Sequence, residues 1–282
     1  MDYLERDRRP GATESARAGL IASEPDQPRR TLPAFTAPLA IFVVILIAWQ
    51  VAATRGLIDS LHFPAPTTIA RATWKTLMDG TLLADLVATG GRILWAVAIG
   101  GGLGMILGVA MGMSARLRAI LDPFVGALHP LPKIAILPLM MVVFGIGDLS
   151  LILIIAAAAF FPMLINTMAG VSQIDPIHID VARLHRARRR LVWRRVLVPA
   201  AAPSVLAGLR LSLNTALLVA IAVEMIAADS GLGNMIWMSW TTFRIENIYV
   251  AVFATIGFGL GVNLLITAIT RVWVPWQRER AQ

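Results

Sequence analysis

The sequence has no cysteine and only two tyrosines among its 282 residues. Without thiols, neither a disulfide framework nor a thiolate metal site is available. His178 and His185 have no neighbouring cysteine or other suitable ligand, so no metal site is indicated. Charge is scarce, at 15% Asp, Glu, Lys and Arg. Paired carboxylates, a histidine cluster and an activated serine arrangement are all missing, which argues against an enzyme. No glycine-rich Gly-Lys-Ser/Thr phosphate loop occurs either, so ATP hydrolysis by this chain alone is not expected. The first 32 residues hold six arginines and six acids and no apolar stretch long enough for a signal peptide. They read as a flexible tail preceding one domain, 33–282.

What the chain does have is apolar sequence: 57% hydrophobic residues and a mean hydropathy of +0.72. That composition is a membrane protein's. A formal charge of +8 would suit nucleic acid, but the basic residues sit in loops flanking apolar runs, where they encode topology. The lipid bilayer is the expected environment, and no nucleic-acid partner is expected.

Six spanning segments are expected, in an all-α fold. The first is 38–53. A polar segment, 54–86, follows, in which Phe63-Pro64-Ala65-Pro66-Thr67 reads as a rigid turn and Thr67 or Thr68 as the cap of a short surface helix through Met78. The second span, 88–113, carries Gly100, Gly104, Gly108 and Gly112 at four-residue spacing. That ridge lets another helix approach closely. After a basic loop, 114–118, the third span, 120–145, is interrupted by Pro130, Pro132 and Pro138, so it is predicted to be kinked or irregular. A fourth span covers 149–168, a fifth 205–227, then comes a polar loop 229–247 and a sixth span, 249–272.

Between spans four and five lies the only long charged segment, about 175–200. It holds seven arginines, Arg183, Arg186, Arg188, Arg189, Arg190, Arg194 and Arg195. Asp175 suits an N-cap and Pro176 the first helical position. Ile177, Val181 and Leu184 recur at helical spacing, predicting a short amphipathic helix, and Pro199 and Pro203 close the segment. Eighteen Lys/Arg fall on the side of the termini and this loop, against four on the other side. The positive-inside rule places the termini and the arginine-rich loop in the cytoplasm. A short capped helix on that face reads as a docking surface for a soluble partner.

Polar groups within spans are costly and mark pathways or partners. Glu224 lies near the outer end of span five and Arg210 near its inner end, too far apart to pair along one helix. Glu224 reads as a gate or structural group. Lys133, in the broken third span, either offers a positive charge to an anion or snorkels to the interface near 114–118. Asn166, Asn214 and Asn263 read as interhelical hydrogen-bond partners rather than ligands.

The charged segment resembles the cytoplasmic loop of permease subunits in binding-protein-dependent ABC importers. Asp180-Val181-Ala182-Arg183-Leu184-His185-Arg186-Ala187 and the closing Val196-Leu197-Val198-Pro199-Ala200 carry the likeness. The chain departs from that pattern with Asp180 for Glu and Arg186 for Gly, a position where glycine permits a sharp turn. Pro130-Leu131-Pro132-Lys133-Ile134-Ala135, Phe144-Gly145-Ile146-Gly147, Phe160-Phe161-Pro162, Ala207-Gly208-Leu209-Arg210 and Glu224-Met225 to Ser230-Gly231-Leu232-Gly233 are similar to the nitrate/sulfonate/taurine branch. The resemblance implies a type I importer permease of the bacterial inner membrane, with a cytoplasmic coupling helix. It implies a homodimer, two ATP-binding subunits carrying ATP and Mg, an extracytoplasmic substrate-binding protein, and a small anion such as a sulfonate, taurine or nitrate as solute. Asp180, Ala182, Arg183, His185, Arg186, Ala187, Arg188, Arg189 and Pro199 would form the ATPase-docking loop, its arginines pairing with carboxylates of the ATPase or anchoring at anionic headgroups. Lys133, Asn214, Glu224 and Ser230 would be the pathway or gate candidates. A six-span secondary transporter or channel is the competing reading, although no inverted repeat is visible.

Overall fold

The computed structural model describes residues 36–175, 177, 184 and 189–274. The 1–32 tail lies outside the described residues, as do Asp180, Ala182, Arg183, His185, Arg186, Ala187 and Arg188. The described residues fall into two units, one holding 36–48 and the other beginning at Trp49. Described by itself, the first contributes the start of helix α1, Thr36–Thr54, which contains no charged residue.

The second unit is helical throughout its regular structure. Helix α2, Pro66–Met78, is the expected surface helix. Its N-cap is Ala65, with no side-chain cap. Thr67 instead binds Gln50, whose Nε2 donates to Thr67 Oγ1 (3.2 Å) and whose Oε1 accepts from the Thr67 amide (3.1 Å). Helix α3 runs over Thr81–Met113, seven residues earlier than predicted, and includes a π turn at Val97–Gly101. The 114–118 loop is the start of a helix: Ser114 accepts from the Leu117 amide and caps α4, Ala115–Leu128. A 3-10 turn, Lys133–Ile136, leads into α5, Leu137–Phe144, bent 83° from α4. The proline-rich break is therefore where the sequence placed it.

Helix α6, Asp148–Ser172, is the centre of the bundle. Helix α7 is continuous over Arg190–Ala227. Pro199 and Pro203 lie inside it rather than ending the charged segment. A π turn, Trp193–Leu197, precedes Pro199 and accommodates the ring and missing N–H that would break an α ladder. Helix α8, Leu232–Thr241, replaces most of the predicted 229–247 loop. Its apolar face packs Leu232 and Met235 with Ile69, Leu82 and Val250. Helix α9, Ile245–Trp273, is the last described helix.

Packing fixes the direction of each helix. A Cβ added at Gly104, Gly108 or Gly112 would lie 2.5 Å from Phe160 O, 2.7 Å from Leu164 O and 2.6 Å from Val171 Cβ, and one at Gly100 would overlap the Ala156 carbonyl. The glycine ridge thus lies directly on the α6 backbone. Residue numbers rise together along this contact, so α3 and α6 are parallel. Along α6 and α7 they run oppositely: Gly170 faces Ser204, while Ser212 Oγ donates to Ala159 O (2.8 Å). Helix α9 is antiparallel to α7, with Asn263 Nδ2 donating to Asn214 Oδ1 (3.0 Å) and Arg210 Nη2 to Thr267 Oγ1 (2.8 Å).

A parallel α3–α6 pair requires the chain to return across the bundle between them. The α4–α5 pair makes that return. Val125 of α4 packs with Leu164 and Met168 near the end of α6, and Ser150 at its start donates to Met140 O and Gly145 O beside α5. The bent pair is a broken crossing and not a re-entrant loop. Four uninterrupted apolar helices and this broken span are long and apolar enough to cross a membrane, while the first expected span corresponds to the shorter apolar helix Pro38–Thr54. The ends of α3 and α6 and the start of α7 share one face of the bundle with the end of α9. That face carries Arg116, Arg118, Arg190, Arg194, Arg195 and Arg271.

Candidate functional site

At the opposite face the second unit contains a buried charged cluster built from four chain segments. Asp85, Thr89 and Arg92 lie at helical spacing on one side of α3, in its first three turns. Glu224 approaches from the last turn of α7, Asp148 opens α6, and Ser230–Gly233 leads into α8. Glu224 is 0% and Arg92 6% exposed, whereas Asp148 is 67% exposed.

Every oxygen of the Glu224 carboxylate has a donor. Oε1 accepts from Arg92 Nη1 (2.8 Å), and Oε2 accepts from Thr89 Oγ1 (2.8 Å) and the Gly233 amide (3.0 Å). Arg92 divides its other donors: Nη1 to Ser230 O (2.7 Å), Nη2 to Ser230 Oγ (3.0 Å) and Nε to Asp148 Oδ1 (2.8 Å). The Gly231 amide donates to Asp85 Oδ1 (2.7 Å) and the Leu232 amide to Thr89 Oγ1 (2.9 Å). These amides precede or open α8, where no intrahelical partner exists. A carboxylate there also meets the positive end of the helix dipole. Gly231 is held at φ +110°, and a Cβ on it would sit 2.6 Å from Glu224 Cδ, so only glycine fits this approach.

The arrangement can clamp: Glu224 and Asp148 pair with Arg92, and Asp85 holds the Gly231 amide. It brings together two residues singled out from the sequence, Glu224 and Ser230. The residue at its centre, Arg92, was missed. The signal was present: an arginine inside an apolar span, with Thr89 and Asp85 three and seven residues before it on the same helical face.

The other candidates lie elsewhere. Lys133 Nζ is 4.8 Å from the ring centroid of Phe161, near the middle of α6, and donates to His129 O. That depth differs from the arginine-bearing end, where an interfacial lysine would sit. Asn214 and Asn263 pair between α7 and α9 as expected, but Asn166 Nδ2 donates within its own helix to Pro162 O (2.8 Å). Gly100, Gly104, Gly108 and Gly112 form a packing ridge against α6. Of the docking-loop residues, Pro199 and the backbone of Arg189 are described, both on the helix leading into or forming α7.

Comparison with known proteins agrees with this architecture. A family model described as "binding-protein-dependent transport system inner membrane component" matches residues 100–279. A taurine transport system permease protein of Escherichia coli is 35% identical over 251 residues, covering 86% of this chain and 90% of that protein. A putative aliphatic sulfonates transport permease protein of Bacillus subtilis is 32% identical, with 86% and 87% covered. A nitrate import permease protein of Synechococcus elongatus is 28% identical, with 83% and 88% covered. Among solved structures, an inward-facing MetNI methionine ABC transporter matches with a TM-score of 0.55 at 17% identity, covering 68% of this chain and 94% of that one, which is a likeness of fold.

Proposed function

Since the chain belongs to the family of inner membrane components of binding-protein-dependent transport systems, we propose that it is the permease subunit of an ATP-driven importer for a small organic or inorganic anion. Taurine, an aliphatic sulfonate and nitrate are the solutes named for its relatives and define the class. Two copies enclose the path. Two ATPase subunits, which carry ATP and Mg, dock on the 175–200 segment, and an extracytoplasmic binding protein delivers solute to the face that holds the Glu224–Arg92 cluster. The chain hydrolyses nothing itself.

The observation that carries this reading is the family match, which falls on the glycine-packed core and the broken span alike. Supporting the orientation, exposed arginines gather at one end of the bundle, which the positive-inside rule assigns to the cytoplasm together with both termini. Docking at that end would pass ATPase closure into α7, whose continuous 190–227 path leads from the arginine segment to Glu224. The cluster then acts as a structural gate element, holding Ser230–Gly233 against α3. Lys133, at mid-depth in the broken span, is the cation placed to meet an anion in transit.

Co-purification of the tagged chain from its native membrane tests the assignment. An ATP-binding subunit recovered in equal amount is the expected result. A chain that arrives alone and moves solute in liposomes without ATP would be a secondary transporter. Charge reversal at Arg188 and Arg189 to Glu is expected to weaken ATPase association while leaving the spans folded, and unchanged association would remove the electrostatic part of the dock.

A further inference from the structure

The arginine-bearing end of the bundle adjoins an apolar groove that the transport reading does not use. It encloses about 680 Å³ between the end of α3, at Met105, Val109 and Met113, and the start of α7, at Val198 and Ala202. The α3 wall runs from Met105 to Met113, eight rises or about 12 Å at 1.5 Å per residue. That is close to one leaflet's half of a roughly 30 Å hydrocarbon core. Trp193 and Trp273 also line the groove and are 40% and 69% exposed. Exposed tryptophans of this kind belong at headgroup depth, with an apolar ring and an N–H that needs a polar partner.

Charge lies just beyond the apolar wall. Arg190 and Arg194 precede Val198 and Ala202 at four-residue spacing on the same continuous helix, which extends the groove's stripe into guanidinium groups. Arg195 adds a third exposed cation, and Arg271 lies two residues before Trp273. No carboxylate among the described residues pairs with any of these four.

We infer that this groove is a binding site for an anionic phospholipid. One acyl chain lies between α3 and α7, and the phosphate rests on Arg190, Arg194 and Arg195. A polar solute gains nothing from the apolar wall, and a zwitterionic lipid fits the groove but gives the arginines no net charge. Basic pockets between spanning helices at this face recognise anionic headgroups in the same way. The site is independent of the solute, but its arginines belong to the 175–200 segment on which the proposed function docks the ATPase, so lipid and ATPase meet at the same end of α7.

The full chain, with whatever subunits accompany it, is placed in membranes of equal phosphatidylglycerol and phosphatidylcholine with identical acyl chains. Retained lipid is then counted by native mass spectrometry. Each arginine near the headgroup gives about a fivefold preference, so phosphatidylglycerol is expected to be enriched about tenfold or more. In an R190Q/R194Q/R195Q variant the ratio falls to near one. Phosphatidylglycerol carrying a photoreactive group in its acyl chain is expected to label 105–113 and 193–206, and Ala202→Trp removes that label. Equal retention of the two lipids, a preference that survives the triple substitution, or labelling elsewhere overturns the inference. So does a disulfide between copies carrying Ala202→Cys in this cysteine-free chain, which would assign the groove to a second copy.

Discussion

Replacing Arg92 with methionine removes the guanidinium while keeping most of the side chain's length and apolar volume. The Asp148 contact contributes little, because that carboxylate is 67% exposed and an exposed ion pair gives about 0–1 kcal/mol. Glu224 decides the outcome. It is fully buried, and without Arg92 its charge retains only Thr89 and the Gly233 amide. Stranding one partner of a buried pair costs roughly 3–5 kcal/mol. At 1.4 kcal/mol per tenfold, local opening of the Ser230–Gly233 segment should rise roughly 10²- to 10⁴-fold. Hydrogen exchange at the Gly231, Leu232 and Gly233 amides reads this directly, since each donates to a cluster member. Asp148→Asn should change exchange by about fivefold or less. The double variant R92M/E224L, which leaves no orphan charge, should exchange more slowly than R92M alone. If R92M and D148N behave alike, or if R92M/E224L is worse than either single change by their full sum, the buried pair is not what holds the segment.

The glycine ridge gives a graded series. Gly108→Val should cost roughly 1–3 kcal/mol by forcing α3 from α6, whereas Gly91→Ala, with nothing within 4 Å of an added Cβ, should be neutral in thermal unfolding in detergent. Asn214→Leu removes one interhelical hydrogen bond and is expected to lower stability by about 0.6 kcal/mol, read from the same melts. Arg186→Gly restores the turn residue of the related loops. Transport-coupled ATP hydrolysis that rises in the variant would show that arginine restricts the bend, and unaltered hydrolysis would show that the arginine is tolerated.

Much of the helix order was legible because apolar runs are long and prolines mark the break. The glycine ridge was legible as well, since four-residue spacing of small residues has one principal use in lipid. Boundaries at the ends opposite the arginines were not. Helix α3 begins at Thr81 because Leu82 packs under α8, a tertiary contact that hydropathy does not encode. Helix α8 was hidden for a related reason: Leu232-Gly233-Asn234-Met235-Ile236-Trp237 sits in a polar stretch and buries only one face. At the other end, Pro199 looked like a terminator, and the π turn that lets α7 pass through it leaves no plain composition signal. Arg92 escaped because it was absorbed into an apolar run instead of being set against Glu224, 132 residues away.

The cluster also answers the difficulty that Glu224 posed as a bare sequence feature. An acid within the span of an anion importer would repel its solute if it faced the path with its charge uncompensated. Here the carboxylate is closed off by Arg92, Thr89 and Gly233, so its field is neutralised locally. Its position follows from the backbone it serves. The chain between α7 and α8 is irregular, and from Gly231 to Gly233 it is buried, so the amides there have no water to fall back on. Three successive amides, at Gly231, Leu232 and Gly233, are met by Asp85, Thr89 and Glu224, one each. Two of those acceptors are acids, and a lone pair of acids would repel each other in this low dielectric. Arg92 is therefore the condition for using carboxylates at all, which is why a cation lies in the first turns of α3.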